Sequence, residues 1–548
     1  MDGAEVDVVI LGAGVNGAGL FRDLCEQGLR CLIVDKADFG AGTSAAPSRL
    51  IHGGLKYLET GEFGLVAQST LERNLLLRNA PHLVHPLPTL IPIFSWTRGV
   101  GAALRTLLGA KQAPRSRGAV LVKLGLALYD IYGARHRSMP RHRLVGRRRA
   151  LAELPALTPR IVAAGTYYDA AVTAPERLVY ELVSDGLAAS PLSAASNHTR
   201  LVSAASGTLA FAPEDGAPFA VRPRIVVNAA GPWIDTVNAA LGVPTALIGG
   251  TKGSHILLDH PALVRELAGR MIYFEADDGR ICLVFPYGGR ALVGSTDIRA
   301  DDPDTVRCDD DEVAYFLTSL RALLPGLAFD EGHIVYAYSG IRPLPASGGT
   351  AAGLISRDHS APVLEPAEGR PFPVVSLVGG KWTTFRGFAE EVADTLLARL
   401  GRARDRSTRE APIGGGRDFP TDRPAWIAGT AEATGLDGGR VAALLDRYGT
   451  TARAIAAHEA AGNGAPLPGA PGYSLAEIDW IARNERVGHL ADIVMRRTTL
   501  AITGRLTQEG LAAVAQTAAA ALGWDDTRLG AELETCAGRL RATHRARL

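Results

Sequence analysis

Apolar and polar positions at the start of the chain change spacing three times. Val6 to Leu11 is apolar enough for a parallel strand buried on both faces, Ala18 to Gln27 has helical spacing, and Arg30 to Val34 reads as a second strand. Together they predict a βαβ unit. Gly12, Gly14 and Gly17 fall between the first strand and the helix, where helix-end amides face a pyrophosphate. Asp35 closes the second strand about 18 residues after Gly17, near the roughly 20-residue offset at which an acid meets a ribose hydroxyl. An acid there repels a 2′-phosphate and disfavours NADP.

Far along the chain the pattern recurs. Val374 to Val378 is a strand that enters a helix through Gly379 and Gly380, and Phe385, Phe388, Val392, Leu396 and Leu400 form an apolar stripe on that helix. Arg224 to Asn228, followed by Ala229-Ala230-Gly231-Pro232-Trp233, reads as another piece of the same sheet. The predicted nucleotide domain is therefore discontinuous, over 1–80, 160–240 and 335–402, with 81–159 and 241–334 inserted as a substrate or capping domain. A nucleotide near residue 12 and a second helix start near Lys381 suggest a long cofactor gripped at both ends, a flavin dinucleotide more naturally than a nicotinamide one.

Residues 403–424 shift to Arg, Asp, Pro and Gly, with Gly414-Gly415-Gly416 among them, which is a linker signal. Beyond it, 425–548 is Ala- and Leu-rich at helical spacing and reads as a separate helical domain. The fold class expected is α/β, with an α+β second domain and an all-helical C-terminal one.

With 548 residues and a net charge of +1, the chain is globular, and no global field points to a nucleic-acid partner. Five scattered cysteines (Cys25, Cys31, Cys282, Cys308, Cys536) and no His cluster at metal spacing make disulfides, iron–sulfur clusters and zinc unlikely expectations for this chain. The chain enters its first strand with no basic leader and has no run of about 18 apolar residues, so neither a signal peptide nor a spanning helix is expected. A cytoplasmic location is the expectation.

Charge is uneven, however. Between Arg98 and Arg149 lie Arg105, Lys111, Arg115, Arg117, Lys123, Arg135, Arg137, Arg141, Arg143, Arg147 and Arg148 against the single acid Asp130, interleaved with apolar stretches Val100–Leu108 and Ala119–Ile131. The segment suits either an anionic membrane surface or a solvated basic face over a helical core.

Reactive side chains are densest at Ser48-Arg49-Leu50-Ile51-His52-Gly53-Gly54-Leu55-Lys56-Tyr57-Leu58. His52 titrates near neutrality and suits removal of a hydroxyl proton, and Gly53 and Gly54 would let a planar ring approach. The bland alternative is a structural histidine. Arg342, within Tyr338–Leu344, offers a forked charged donor to a phosphate or carboxylate, or else an ordinary ion pair. Lys381, at the start of the late helix, either stabilises an anionic reduced ring with the amides of Thr383 and Thr384 or simply caps the helix.

Leu50–Glu59, Val227–Trp233, Lys252-Gly253-Ser254-His255-Ile256, Gly294-Ser295-Thr296-Asp297, Tyr338–Leu344 and Gly379-Gly380-Lys381-Trp382-Thr383-Thr384 together resemble the FAD-dependent sn-glycerol-3-phosphate dehydrogenases. The tail, with Glu477 to Arg497, resembles that family's helical domain. The resemblance implies the D-amino-acid-oxidase/glutathione-reductase type of FAD fold, oxidation of glycerol 3-phosphate to dihydroxyacetone phosphate, and a quinone acceptor at the inner face of the membrane. It implies FAD contacts at Gly12, Gly14, Asn16, Gly17, Asp35, Lys36, Thr43, Ser44, Ser48, Leu50, Gly53, Gly54, Ala230, Gly231, Trp233, Gly380, Lys381, Thr383 and Thr384. The substrate phosphate would lie on Arg342 with Lys56, Tyr57, Arg357 and Lys381, and His52 beside the hydroxyl. Lys56 stands where the family usually has Arg, keeping the charge and losing the fork, so another polyol phosphate stays open as substrate. So do an oxidase, a silent flavin-binding sensor, and a homodimer or regulatory role for the C-terminal domain.

Overall fold

The computed structural model describes residues 2–55, 62–97, 118–132, 139–300, 302–346 and 358–548. Its first layer begins with β1 (Ala4–Leu11), α1 (Val15–Glu26) and β2 (Cys31–Val34), the βαβ unit read from the sequence. Helices α2 (Phe63–Asn79), α3 (Ala119–Tyr132) and α4 (Pro175–Ala189) come next, followed by strands β3 (Phe219–Asn228) and β4 (Val374–Ser376) and helix α5 (Phe385–Arg399).

The first sheet runs Val363–Leu364, β4, β3, β1, β2, Ala194–Ser196, and β4 through Ala194–Ser196 are parallel. Side chains alternate across it: Val8 and Ile10 pack with α1, α4 and α5, while Val9 and Leu11 face Leu209 and Phe211 of the antiparallel strands Thr199–Ala205 and Thr208–Pro213. Both faces are covered over Val8–Leu11, Cys31–Val34 and Ile225–Val227, which is why those stretches are apolar throughout. The α5 stripe is buried as expected at Phe385, Phe388, Val392 and Leu396.

The second sheet is larger. Its order is Ile298–Arg299, Ile248–Leu258, Arg290–Gly294, Ile281–Tyr287, Met271–Glu275, Val84–Ile93, Ala163–Val172, Leu50–Ile51, with Ile334–Pro345 also paired to Ile248–Leu258. Three of its strands, Leu50–Ile51, Ala163–Val172 and nearly all of Ile334–Pro345, fall in segments that the sequence reading groups with the nucleotide domain. Strand partners are set across long range, so composition alone does not assign them.

The C-terminal part is helical apart from the short hairpin of Pro466–Leu467 with Ala470–Ser474. It does not form a core of its own only. Ile478, Ile481, Ile493, Val494 and Val514 pack in one cluster with Leu257, Phe285, Tyr287, Tyr336 and Tyr338 of the second sheet. Buried charges tie the seam. Asp38 accepts from Arg497 at 2.6 and 2.8 Å and from Arg496 at 2.9 Å, and Arg177 pairs with Glu485 at 2.7 Å. His198, Glu214 and His489 also meet there, but the His489 ring lies between Glu532 (2.7 Å) and Glu214 (2.9 Å), and Glu532 above all holds it up to about 9. The group is thus an imidazolium bridging two carboxylates.

Residues 403–424 run as a strap tied to α1 and α4. Arg404 and Thr408 reach Asp23 at 2.8 and 3.0 Å, Arg22 donates to the Pro412 carbonyl at 2.6 Å, and the Gly414 N–H donates to Asp185 at 3.0 Å. The glycine triplet is there for close packing rather than looseness. A Cβ on Gly415 would stand 1.9 Å from the Tyr448 carbonyl oxygen, and one on Gly416 2.2 Å from that of Asn79. Gly415→Ala is therefore expected to destabilise the protein by about 1–3 kcal/mol, seen as a lower urea midpoint. Gly429→Ala, whose new Cβ meets nothing within 4 Å, serves as the control and is expected to leave the midpoint unchanged or raise it.

Candidate active site

The corner between β1 and α1 is shaped by what its glycines lack. Gly12 has φ of 105° and its absent Cβ would fall 2.6 Å from the Ala229 carbonyl oxygen, while that of Gly17 would fall 2.0 Å from the Gly12 carbonyl oxygen. Strand, helix and the Ala229-Ala230 turn can approach only because both are glycine. The α1 N-terminus has no capping side chain at Gly14 and no acid in its first turn, which leaves its positive end to an anion.

Asp35 stands at the end of β2 and accepts from the Ala13 N–H at 2.7 Å and the Ala37 N–H at 2.9 Å. Burial pushes its carboxyl up to about 6, against those two donors. Lys36 turns away to pair with Asp304 at 2.9 Å over the Trp233 ring, and Trp233 Nε1 also donates to Asp304 at 3.1 Å. This exposed rim sits beside Gly42, whose added Cβ would meet the Trp233 ring at 3.1 Å. Ala230 donates its N–H to Asn228 at 3.1 Å, and Gly231 has φ of 57°.

The late glycine segment meets the early one. Ser44 Oγ accepts from the Val15 N–H at 2.9 Å, its carbonyl accepts from Trp382 Nε1 at 3.2 Å, and Asn16 Nδ2 donates to the Gly379 carbonyl at 3.4 Å. Thr43 Oγ1 donates to the Ile341 carbonyl at 2.6 Å, next to Arg342. Gly379 and Gly380 have φ of 73° and 89°, and Asn16 Oδ1 is buried beside Gly380 with no hydrogen-bond partner among the described residues. A buried orphan acceptor costs about 1–3 kcal/mol, which a ligand hydroxyl would recover. Glycine cradle, helix start without an acid in its first turn, terminal acid and orphan acceptor together fit a dinucleotide that spans both corners.

His52 follows the short strand Leu50–Ile51, which pairs with Ala170 and Ala171. Its N–H donates to Thr383 Oγ1 at 3.1 Å, so the structure brings His52 to the Lys381–Thr384 turn. Lys381 is buried, with Nζ donating to Ser69 Oγ of α2 at 3.1 Å, and the Thr384 N–H donates to the Lys381 carbonyl at 3.1 Å. Gly54 has φ of 76°. The missing Cβ of Gly53 leaves room for the Tyr129 hydroxyl and Thr70, both 2.4 Å from where it would stand.

Arg342 lies over Gly253, where a Cβ would be 2.1 Å from Nη2, and donates to Asp297 at 3.1 Å and to the Thr296 carbonyl at 3.2 Å. Its fork is thus partly met by a carboxylate. Ser48 Oγ bonds His255 Nε2 at 2.8 Å, and His255 stacks on Tyr338 at 4.8 Å. Burial first, then the charges of Arg342 and Arg49, hold the His255 ring well below the ordinary value, so it is neutral. In the sequence His255 stands out only as a member of the Lys252–Ile256 motif. Arg49, named in the reactive cluster without a role, is buried on Glu176 at 2.7 Å. Lys56, Tyr57 and Arg357 lie outside the described residues.

Residues 7–395 match the FAD dependent oxidoreductase family, and residues 406–529 match the C-terminal domain of alpha-glycerophosphate oxidase. A glycerol-3-phosphate dehydrogenase of Synechocystis sp. is 32% identical over 96% of this chain and 95% of its own length. The chain belongs to the FAD-dependent glycerol-3-phosphate dehydrogenase family. Glycerol-3-phosphate dehydrogenase 1 of Mycobacterium bovis is 30% identical over 94% of this chain and 95% of its own. Among solved structures, the glycerol-3-phosphate dehydrogenase of Bacillus halodurans complexed with FAD shares the fold with a TM-score of 0.77 at 20% identity, over 99% of this chain and 95% of that one. The cofactor of the family is FAD, and the two glycine corners described above are where this chain has the features to hold it.

Ribose hydroxyls donate to an ionised acid, so the affinity of the apoprotein for FAD should weaken below the Asp35 value of about 6. Proton and ribose compete for the same oxygens. Titration of apoprotein is expected to show about tenfold weaker binding at pH 5 than at pH 7, a dependence that Asp35→Asn abolishes. A pH-independent affinity in the unsubstituted protein would refute the assignment.

Proposed function

We propose that this enzyme oxidises sn-glycerol 3-phosphate to dihydroxyacetone phosphate and passes the electrons to a quinone. The observation that carries the reading is the junction of His52 with Thr383 and Lys381 at one glycine corner, with Arg342 anchored on the neighbouring sheet. The names of the full-length relatives point to the same substrate.

When bound, FAD supplies the acceptor for the C2 hydride. His52 takes the hydroxyl proton, which must leave as the hydride does. Arg342 holds the phosphate by its fork, with Lys56, Tyr57 and Arg357 as further donors and Asp297 fixing the guanidinium plane. Lys381, buried and held by Ser69, lends positive charge where the reduced ring is anionic. Thr383 aligns the His52 backbone.

The membrane half of the proposal rests on α3 and its neighbours. Val120, Leu124, Ile131 and Trp96 are each more than half exposed, and the Val120 N–H bonds the Trp96 carbonyl, so helix and loop present one apolar face. Lys123 is exposed on the same helix. Residues 98–117 and 133–138 of the basic segment lie outside the described residues. No helix among the described residues is long and apolar enough to cross a membrane, and the reading is peripheral attachment on the cytoplasmic side. Each Lys or Arg near an anionic surface adds about 1 kcal/mol.

Two tests follow. Under anaerobic conditions the yellow protein is expected to bleach with glycerol 3-phosphate and not with glycerol, and Arg342→Ala to lower kcat/KM by about 30- to 1,000-fold (about 2–4 kcal/mol); an oxidised spectrum with the phosphate ester, or bleaching by another polyol phosphate in its place, would overturn the substrate. Combined Lys123→Glu, Arg141→Glu and Arg147→Glu should release the protein from anionic vesicles with dye-linked activity intact. Unchanged vesicle binding would remove the membrane half.

A further inference from the structure

Two buried polar side chains accept from a single backbone N–H beside His52, and a buried arginine from a third element ties them together. Arg73 of α2 donates Nη1 to Asp169 Oδ1 at 3.0 Å and to the Tyr129 hydroxyl at 3.0 Å. Tyr129 of α3 donates its hydroxyl to Asp169, which lies on the strand Ala163–Val172. The Gly53 N–H is shared between the Tyr129 oxygen at 2.8 Å and Asp169 Oδ1 at 3.2 Å. Arg73 also donates to the Tyr168 carbonyl at 3.1 Å, and Tyr167 packs edge-on to Tyr129 at 5.5 Å.

This is more buried charge than one amide requires. An apolar replacement for a buried ion pair is often neutral or stabilising, and a single acceptor satisfies an N–H. The arrangement makes sense by what it fixes. Peptide planes are rigid, and the two planes that flank the His52 Cα carry the His52 N–H and the Gly53 N–H. Thr383 holds the first at 3.1 Å and Tyr129 with Asp169 holds the second. With both planes anchored, the His52 backbone torsions are set, and so is the direction in which its imidazole leaves the chain. Gly53 completes the device, since any Cβ would collide with the Tyr129 hydroxyl.

We infer that Tyr129, Asp169 and Arg73 are positioning residues for His52, aiming its imidazole through the Gly53 N–H. The inference rests on His52 as the proton acceptor. Tyr129→Phe, assayed as holoenzyme, is expected to keep its flavin, to lose about tenfold in kcat with little change in KM for glycerol 3-phosphate, and to shift the acid limb of the kcat/KM profile. Tyr448→Phe removes a comparable buried hydroxyl-to-carboxylate bond, to Glu477 in the C-terminal domain, and is expected to leave kcat and the pH profile as they were. In a His52→Gln background, Tyr129→Phe should cost nothing further, because it acts through His52. Full additivity of the two losses, an unchanged kcat and profile in Tyr129→Phe, or an equal kcat loss in Tyr448→Phe would each overturn the inference. Full activity in His52→Gln alone would instead strike the proton-acceptor assignment, and the positioning role with it.

Discussion

The bond pair at Ser44 is the constraint on which the rest of the site depends. Its hydroxyl accepts from the Val15 N–H in the first turn of α1 and its carbonyl accepts from the Trp382 indole, so one residue fixes the early glycine corner against the late one. Close packing of α1 on α5 reinforces it: a Cβ on Gly19 would lie 2.7 Å from the Phe385 ring. Two helix starts far apart in the chain are thereby brought together.

Around this groove the fold spends buried charge to fix register rather than to gain stability. Asp38, three residues beyond Asp35, receives Arg496 and Arg497 from the C-terminal part, and Arg49, three residues before His52, is held by Glu176. Buried ion pairs of this kind are weak evidence for stability, and their better-attested use is in specifying one arrangement. Here both flank the candidate site, on the segments that carry Asp35 and His52. The helix that carries Tyr129 inward to Gly53 carries Val120, Leu124 and Ile131 outward, so the surface and the His52 loop share one rigid element.

Much of this was legible in the sequence wherever local spacing carried the information. Gly12, Gly17 and Asp35 announce themselves because strand, turn, helix and acid follow within one unit, and the α5 stripe is visible from its 3.6-residue period. The residues that sequence reasoning missed act across long range. Tyr129 looks like part of an amphipathic helix, Asp169 and Arg73 like surface charges, and nothing in their spacing says that they meet at Gly53. Gly414-Gly415-Gly416 misleads for a related reason, since glycine composition signals a loose chain and close backbone contact alike. His255 was visible only as one member of the Lys252–Ile256 motif, and its stacking on Tyr338 and bond to Ser48 emerge from the pairing of Ile248–Leu258 with Ile334–Pro345.

The central claim is that a single FAD runs from the Gly12–Asp35 corner to the turn at Lys381, with substrate between His52 and Arg342. The most direct measurement is a crystal structure of the holoenzyme with dihydroxyacetone phosphate. The account predicts ribose density on Asp35, the isoalloxazine beside Lys381 and Thr383, the ligand's C2 oxygen within hydrogen-bond reach of the His52 ring, and its phosphate on Arg342. Phosphate density away from Arg342, or a flavin ring that does not reach the Lys381 turn, would contradict it.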